Sequence, residues 1–535
     1  MADFLTLLRQ PCTDLESAAA AWRALAGQCD SEQERHGSSI TGALRAAEWQ
    51  GRAADAGLAA LDATEAQLGV IRSQATSIAA VVETLSTAMQ QAGKLLRAVV
   101  REAESSGFTV HDSGRVTADY GPAAQHDPDY AVTIGAQRTG YQSRIDSAVA
   151  QAELASDTAA RLLREFVPAQ FDRRGAAADA LADARAVLEA RSVCTLLPDS
   201  MSPARAAKWW ASLSEEDQAL HLAAYPEEIG RADGLPVAAR DHANRSVLDG
   251  RIAELARSGA AGTAEELADL TRLRDRMDRS HGSGEHLRPY LIGLDTEGDG
   301  KAIVSLGNPD TARNTAVFIP GTGARLGSVS GDIDRVENLV NAGALYAPAG
   351  ETAGVMWLGY DAPDSVVPHA TERSYANRGG PALASYVEGL RISHEAGDAH
   401  LTAVAHSYGS TVLGNAARTG TGIPVDDIIV AGSPGMQVNH ASELNMAPDR
   451  VWAAQADGDH VPAAGQSFHA GSEYKGWGRW EVNHPAVEGF GANRITTETT
   501  GHSNYWEEDT VDLKNQAKII TGQHDMVRLQ WKAAQ

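Results

Sequence analysis

Apolar and small residues recur through the first 190 positions in alternating steps of three and four. From Leu61 the series runs Thr64, Leu68, Ile71, Ala75, Ile78, Val82, Leu85, Met89, Ala92, Leu96, Val99. That spacing keeps one seam on one face of a helix of about ten turns. A second series, Ile134, Tyr141, Ile145, Ala148, Ala152, Ala155, Ala159, Leu162 and Phe166, predicts another long helix. Seams of this length need partners, so residues 1–190 are expected to form a long antiparallel helical bundle. Between the two series, Gly107-Phe-Thr-Val-His-Asp-Ser-Gly-Arg-Val-Thr117 reads as a short hairpin turning at Asp112-Ser-Gly114.

Residues 195–285 predict a second helical segment, punctuated by Pro226, Gly230 and Asp233-Gly-Leu-Pro236. Ser214 is placed to cap a helix whose first turn holds Glu215 and Glu216. The segment has few large apolar residues and is expected to pack on a neighbouring domain. From 286 the rhythm changes to short, β-branched apolar runs separated by helical stretches. The runs 290–294 and 302–306 form a hairpin, and 315–319, 354–358, 401–405, 428–431 and 451–454 follow. Runs so apolar suit strands buried on both faces of a mostly parallel sheet. The expected class is therefore α/β, a sheet domain at 286–510 flanked by helices, with a C-terminal tail helix at 511–535.

Composition narrows the partners. With 535 residues, the chain should hold two or three domains; 43% hydrophobic and 22% charged residues fit a soluble globular protein. No apolar run reaches bilayer-spanning length, so no transmembrane segment is expected. The N-terminal residues lack a basic stretch ahead of an apolar core, so no cleaved signal peptide is expected. The chain is read as cytoplasmic, or as exported by a route that recognises a folded helical element. A net charge of -24 repels phosphate backbones and excludes nucleic acid as the expected partner. Cys12, Cys29 and Cys194 show neither CxxC spacing nor an even count, and are read as small buried side chains.

The chemistry concentrates in Leu401-Thr-Ala-Val-Ala-His-Ser407-Tyr-Gly409-Ser-Thr, a buried strand, a tight turn and a small-residue helix. A nucleophile elbow needs small residues two before and two after its serine, here Ala405 and Gly409, with His406 and Tyr408 adjoining Ser407. A serine needs a base and an orienting acid, which follow it in the order acid, then histidine, on this architecture. Val451-Trp-Ala-Ala-Gln-Ala-Asp-Gly-Asp-His-Val-Pro462 offers Asp459 as the acid, with Asp457 shaping the turn. Six histidines follow Ser407. His502, in Gly501-His-Ser-Asn-Tyr-Trp506, best fits a flexible loop after the last strand, and His484 is the alternative. One oxyanion donor is expected at the Tyr408 amide and the other at Thr322 or Gly323. Gly321-x-Gly323-x-x-x-Gly327 is wrongly spaced for a dinucleotide, so no cofactor is expected. No metal is expected either: Asp295-Thr-Glu-Gly-Asp-Gly300 lacks the twelfth-position ligand of a calcium loop, and His394-Glu395 lacks a histidine at the zinc spacing.

Two resemblances follow from these residues. Trp49-Gln50-Gly51, ahead of the first long helix, resembles the WXG helical hairpins exported by type VII secretion systems. None of Tyr120, Tyr130 or Tyr141 is followed by an acidic residue four positions on, so the export signal of that family is missing from its usual place. The motifs Trp210-x-x-Leu-Ser, Pro226-x-x-Ile-Gly, Asp233-Gly-Leu-Pro-x-x-x-Arg240-x-x-Ala-Asn244, Pro320-Gly-Thr-Gly, Gly359-Tyr-Asp-Ala-Pro, Ala-His-Ser407-Tyr-Gly-Ser and Gly-His502-Ser-x-Tyr-Trp resemble an actinobacterial family of largely uncharacterised α/β-hydrolase-domain proteins. That resemblance implies the fold and a Ser407, Asp459, His502 triad over about 200–510. The leading expectation is a serine hydrolase acting on a small-molecule or lipid-like ester. Amide cleavage and acyl transfer use the same triad. The competing class is an exported interaction protein that binds a helical partner or the secretion machinery without turnover.

Overall fold

Buried β-branched runs assemble a nine-stranded sheet in the computed structural model, which describes residues 4–9, 11–41, 43–44, 51–119, 128–166, 175–191, 201–259, 262–281, 285–366, 368–396, 399–475 and 479–533. The chain divides into two compact units: Met1–Glu34 with Gln67–Leu196 and Ser214–Ala224, and Arg35–Ala66 with Leu197–Leu213 and Tyr225–Gln535.

In the first unit, the two long seams appear as helices Arg52–Ser105, which begins in the other unit, and Pro128–Glu165. Leu96, Val99 and Ala103 of one helix share a core with Ile145, Ala148 and Ala152 of the other, and Phe4 and Leu7 join it. The hairpin between them is present as β1 (Phe108–Val110) and β2 (Val116–Ala118), antiparallel. Gly114 turns it with φ of 79°, and Gln142 of the second helix accepts from Val116 N–H at 2.8 Å and donates to Gly114 O at 3.1 Å. Ser214 caps helix Glu215–Ala224 as its side chain implied, accepting from Asp217 N–H at 3.1 Å. Trp49, Gln50, Tyr120 and Cys194 lie outside the described residues. Cys12 and Cys29 are free thiols, the first half-buried and the second buried.

In the second unit the strands are β3 (Pro289–Asp295), β4 (Lys301–Leu306), β5 (Asn314–Ile319), β6 (Thr352–Leu358), β7 (His400–His406), β8 (Asp427–Ala431) and β9 (Val451–Ala454). The polar hairpin β10 (Ser472–Tyr474) with β11 (Trp480–Val482) stands apart, and β12 (Asn493–Ile495) and β13 (Leu529–Trp531) complete the sheet. The order is β13-β12-β9-β8-β7-β5-β6-β4-β3. Six neighbouring strands from β12 to β6 run parallel, and β3, β4 and β13 are antiparallel additions. Burial of β5, β6 and β8 is complete along their length, and each buried Val, Leu or Ile contributes about 1.5–3 kcal/mol.

Helices Val237–Ser258 and Ala264–His281 put Val237, Leu248, Ile252, Leu255, Leu270, Leu273 and Met277 into the same core as the sheet. The C-terminal residues form more than a tail helix. Helix Val511–Ile520 buries Leu513, Ala517, Ile519 and Ile520, and the chain then supplies edge strand β13. That strand is three residues long, too short for an alternation pattern to announce it.

Chain direction decides where the chemistry sits. From β5 the chain crosses to β6 on one side, then returns to β7 on the other. At such a switch point the loops leaving the C-terminal ends of two adjacent strands open a crevice. Here those loops are 320–323 after β5 and 407–408 after β7.

Candidate active site

Ser407 occupies the tip of the turn after β7 with φ of 51°. A left-handed serine costs about 1–3 kcal/mol, so its neighbours must hold it there. Its N–H donates to Ala431 O of β8 at 3.0 Å, and its carbonyl accepts from Ser410 N–H at 3.0 Å and Ser410 Oγ at 2.6 Å. Ala405 is fully buried, and a Cβ on Gly409 would lie 2.4 Å from Ile319 O. Small residues at both positions let helix Gly409–Arg418 press against β5. Ser410, the neighbouring hydroxyl, is fully buried and also lies 2.6 Å from Ser433 Oγ.

Asp459 follows β9 and is buried; His502 lies in the loop after β12 and is partly open. His502 Nδ1 sits 3.0 Å from both Asp459 carboxylate oxygens. Its Nδ1–H therefore points at the carboxylate, leaving Nε2 as the basic nitrogen of a residue that lines the cavity. Tyr505 O–H donates to Asp459 Oδ2 at 2.5 Å, and Val461 N–H donates to Oδ1 at 3.0 Å. Burial works to raise the Asp459 carboxyl; hydrogen bonds from His502 and Tyr505 overcome it and hold the group below the ordinary range. Gly432 is required beneath this pair, because a Cβ there would fall 2.8 Å from both Asp459 Oδ2 and His502 Cε1.

Ser407 and His502 line one cavity of about 550 Å³. No hydrogen bond joins their side chains among the described residues. Its apolar lining includes Val366, Ala370, Pro434, Val461, Ala464 and Phe468, and its polar lining includes Ser328, Asp332, Arg335 and Ser503.

The 320–323 loop lies directly on the elbow: a Cβ on Gly321 would sit 2.9 Å from Ser407 Cβ and 3.1 Å from Tyr408 N. The amides of Tyr408 and Thr322 donate to no other described residue, and both residues line the cavity. Gly323 separates from Thr322 here. With φ of 81° it turns its N–H outward to Pro363 O at 2.8 Å, which removes it as a donor in this conformation. His484 does not line the cavity, and burial pushes its ring down to about 4. Asp457 carries the turn, accepting Gly501 N–H at 2.9 Å through its carbonyl. The residues Asp295 to Gly300 close the β3–β4 hairpin, where Asp295 accepts from Lys301 Nζ at 3.1 Å.

A family described as alpha/beta hydrolase matches residues 295–468. An uncharacterised protein of Mycobacterium bovis is 35% identical over 218 residues, covering 39% of this chain and 79% of its own. The chain belongs to the α/β-hydrolase family. A longer relative, an uncharacterised protein of Mycobacterium tuberculosis, is 30% identical over 364 residues, covering 59% of this chain. The chain spans 55% of that relative's length.

Within this α/β-hydrolase domain, several contacts around the site gave no signal in the sequence. His406 Nε2–H donates to His502 O at 2.7 Å, and the two rings lie 4.7 Å apart. Trp506 meets the His406 ring edge-on at 5.1 Å, and Asn338 holds the Trp506 carbonyl at 2.9 Å. Burial, reinforced by the neighbouring His502, pushes His406 down to about 3. Asp332 and Arg335, which both line the cavity, pair at 2.7 Å. Gly331, Asp332 and Arg335 lie at helical spacing just past the glycine loop, a signal available once that loop is assigned to the site.

Proposed function

We propose that this hydrolase cleaves carboxylic esters through an acyl-enzyme on Ser407. The observation that carries the reading is the strained Ser407 sharing a cavity with a His502 already paired to Asp459. Ser407 Oγ attacks the ester carbonyl carbon while His502 Nε2 takes its proton; Asp459 orients and stabilises the imidazolium. The Tyr408 and Thr322 amides hold the oxyanion. The tetrahedral adduct collapses, and the alcohol leaves with the proton from His502. Water, deprotonated by His502, attacks the acyl carbon and returns Ser407 with a free carboxylic acid. The apolar lining of the cavity suits an acyl chain, and Ser328, Asp332, Arg335 and Ser503 offer polar groups to an alcohol portion.

A fluorophosphonate probe tests the reading. Wild type and Ser410→Ala should label, Ser407→Ala should not, and ester turnover in Ser407→Ala should fall on the order of 10⁴- to 10⁶-fold. Absence of both labelling and turnover in wild type would favour the interaction-protein class. A panel of p-nitrophenyl esters of increasing acyl length then reads the depth of the apolar lining.

A further inference from the structure

His400 opens β7, seven residues and roughly 23 Å before Ser407 at the far end of the strand. Its Nδ1–H donates to Ile520 O at 2.8 Å, which fixes the ring and turns Nε2 toward Asp427 Oδ2 at 2.9 Å. Asp427 opens β8 and is fully buried. Trp452 Nε1–H occupies its Oδ1 at 2.8 Å, leaving Oδ2 on the side of the histidines. His524, in the turn after helix Val511–Ile520, brings its own Nε2 to 2.9 Å from that same oxygen. The ligand atoms of the three residues all lie within 4.8 Å of one another.

We propose that His400, Asp427 and His524 form a divalent-cation site of the Zn²⁺ class. Two imidazole nitrogens and one carboxylate oxygen are its donors, and a fourth position is left for water. Two of the ligands already have the outer partners that metal ligands use: a backbone carbonyl on the far nitrogen of His400 and an indole N–H on the far oxygen of Asp427. The third, His524, lies flat against the Trp452 ring at 5.4 Å. The ligands come from positions far apart in the chain, so the ion ties the C-terminal turn to the first residues of β7 and β8. Its role is to brace the fold at a distance from the reacting serine.

Arg450 is the cation of the chain that competes for these donors. It is partly exposed, its Nη1 lying 3.6 Å from Asp427 Oδ2 and 3.0 Å from His524 Nδ1. The same Nη1 lies 3.4 Å from His524 Nε2, so one guanidinium charge stands against two of the three donors. Metal entry therefore swings Arg450 into solvent, and removing its charge favours the ion.

Calorimetric titration of the full chain, carrying no affinity tag, with Zn²⁺ tests this, alongside thermal unfolding. Wild type should bind one Zn²⁺ at this site and unfold at a higher temperature with it. His524→Gln and, independently, His400→Gln should weaken binding by about 10- to 100-fold or more. Arg450→Met should tighten it, and His502→Ala should leave it unchanged, which separates this site from the paired His502 and Asp459. Full affinity in His524→Gln, or no binding in both wild type and Arg450→Met, overturns the proposal.

Discussion

A histidine buried beside the elbow serine is held neutral, because burial disfavours its charged form. His406 is such a residue, and its one N–H is committed to the carbonyl of His502. It thereby fixes the backbone of the loop that carries His502. Its ring titrates near 3 in the fold and near 6.5 when unfolded. Between those values the unfolded chain binds the extra proton, so stability rises with pH across the window and is lost as pH falls from about 6.5 toward about 3. The slope from this one group approaches ~1.4 kcal/mol per pH unit. Urea unfolding of wild type and His406→Gln between pH 4 and 7 should show the variant with the shallower dependence. His484, lowered for the same reason, contributes equally to both proteins, so parallel curves would contradict the assignment to His406.

Elements pack through glycines whose side chains have no room, and the sign of a substitution follows from that room. Gly414 faces Met436 O, where an added Cβ would lie 2.1 Å away; Gly250, in helix Val237–Ser258, has nothing within 4 Å. Gly→Ala in an open helix position stabilises by about 0.5–1 kcal/mol. Gly250→Ala should thus raise the unfolding midpoint, and Gly414→Ala should lower it by forcing helix Gly409–Arg418 off its neighbour. Thermal scans of the two variants check the opposite signs. The same dependence on neighbours explains what the sequence reveals. Strands β5 to β9 are legible because their buried runs carry their own pattern. Strand β12 is Asn493-Arg-Ile495, and its arginine is buried only because Gln455 O and Ala486 O accept from it at 2.8 and 2.9 Å. No linear pattern foretells that. At the site, chain order is enough to nominate Ser407, Asp459 and His502. The Asp332–Arg335 pair is written in i,i+3 spacing, but the outward turn of Gly323 and the Tyr505 bond to Asp459 arise from backbone sign and spatial neighbours, neither of which spacing carries.

At the scale of the whole molecule, a net charge of -24 gives an average field that repels anions. Among the described residues no helix is long and apolar enough to cross a membrane. For ester substrates of matched size, kcat/KM for an anionic ester should rise as salt is increased, because screening removes the repulsion within about 10 Å at 0.1 M. A neutral ester should be indifferent. Initial rates across an ionic-strength series make the comparison, and identical responses would show that Arg335 and its surroundings offset the global field at the cavity mouth.

The left-handed turn at Ser407 has a consequence for how such a chain can change over time. Glycine adopts that backbone without strain, so Ser407→Gly should fold more stably than the wild type, by on the order of 1 kcal/mol, while losing ester turnover. Ser407→Ala, which keeps a Cβ, should show no such gain. Drift at this position runs downhill toward an inert, sturdier protein. The hydroxyl at 407 therefore stands against the preference of the backbone that carries it.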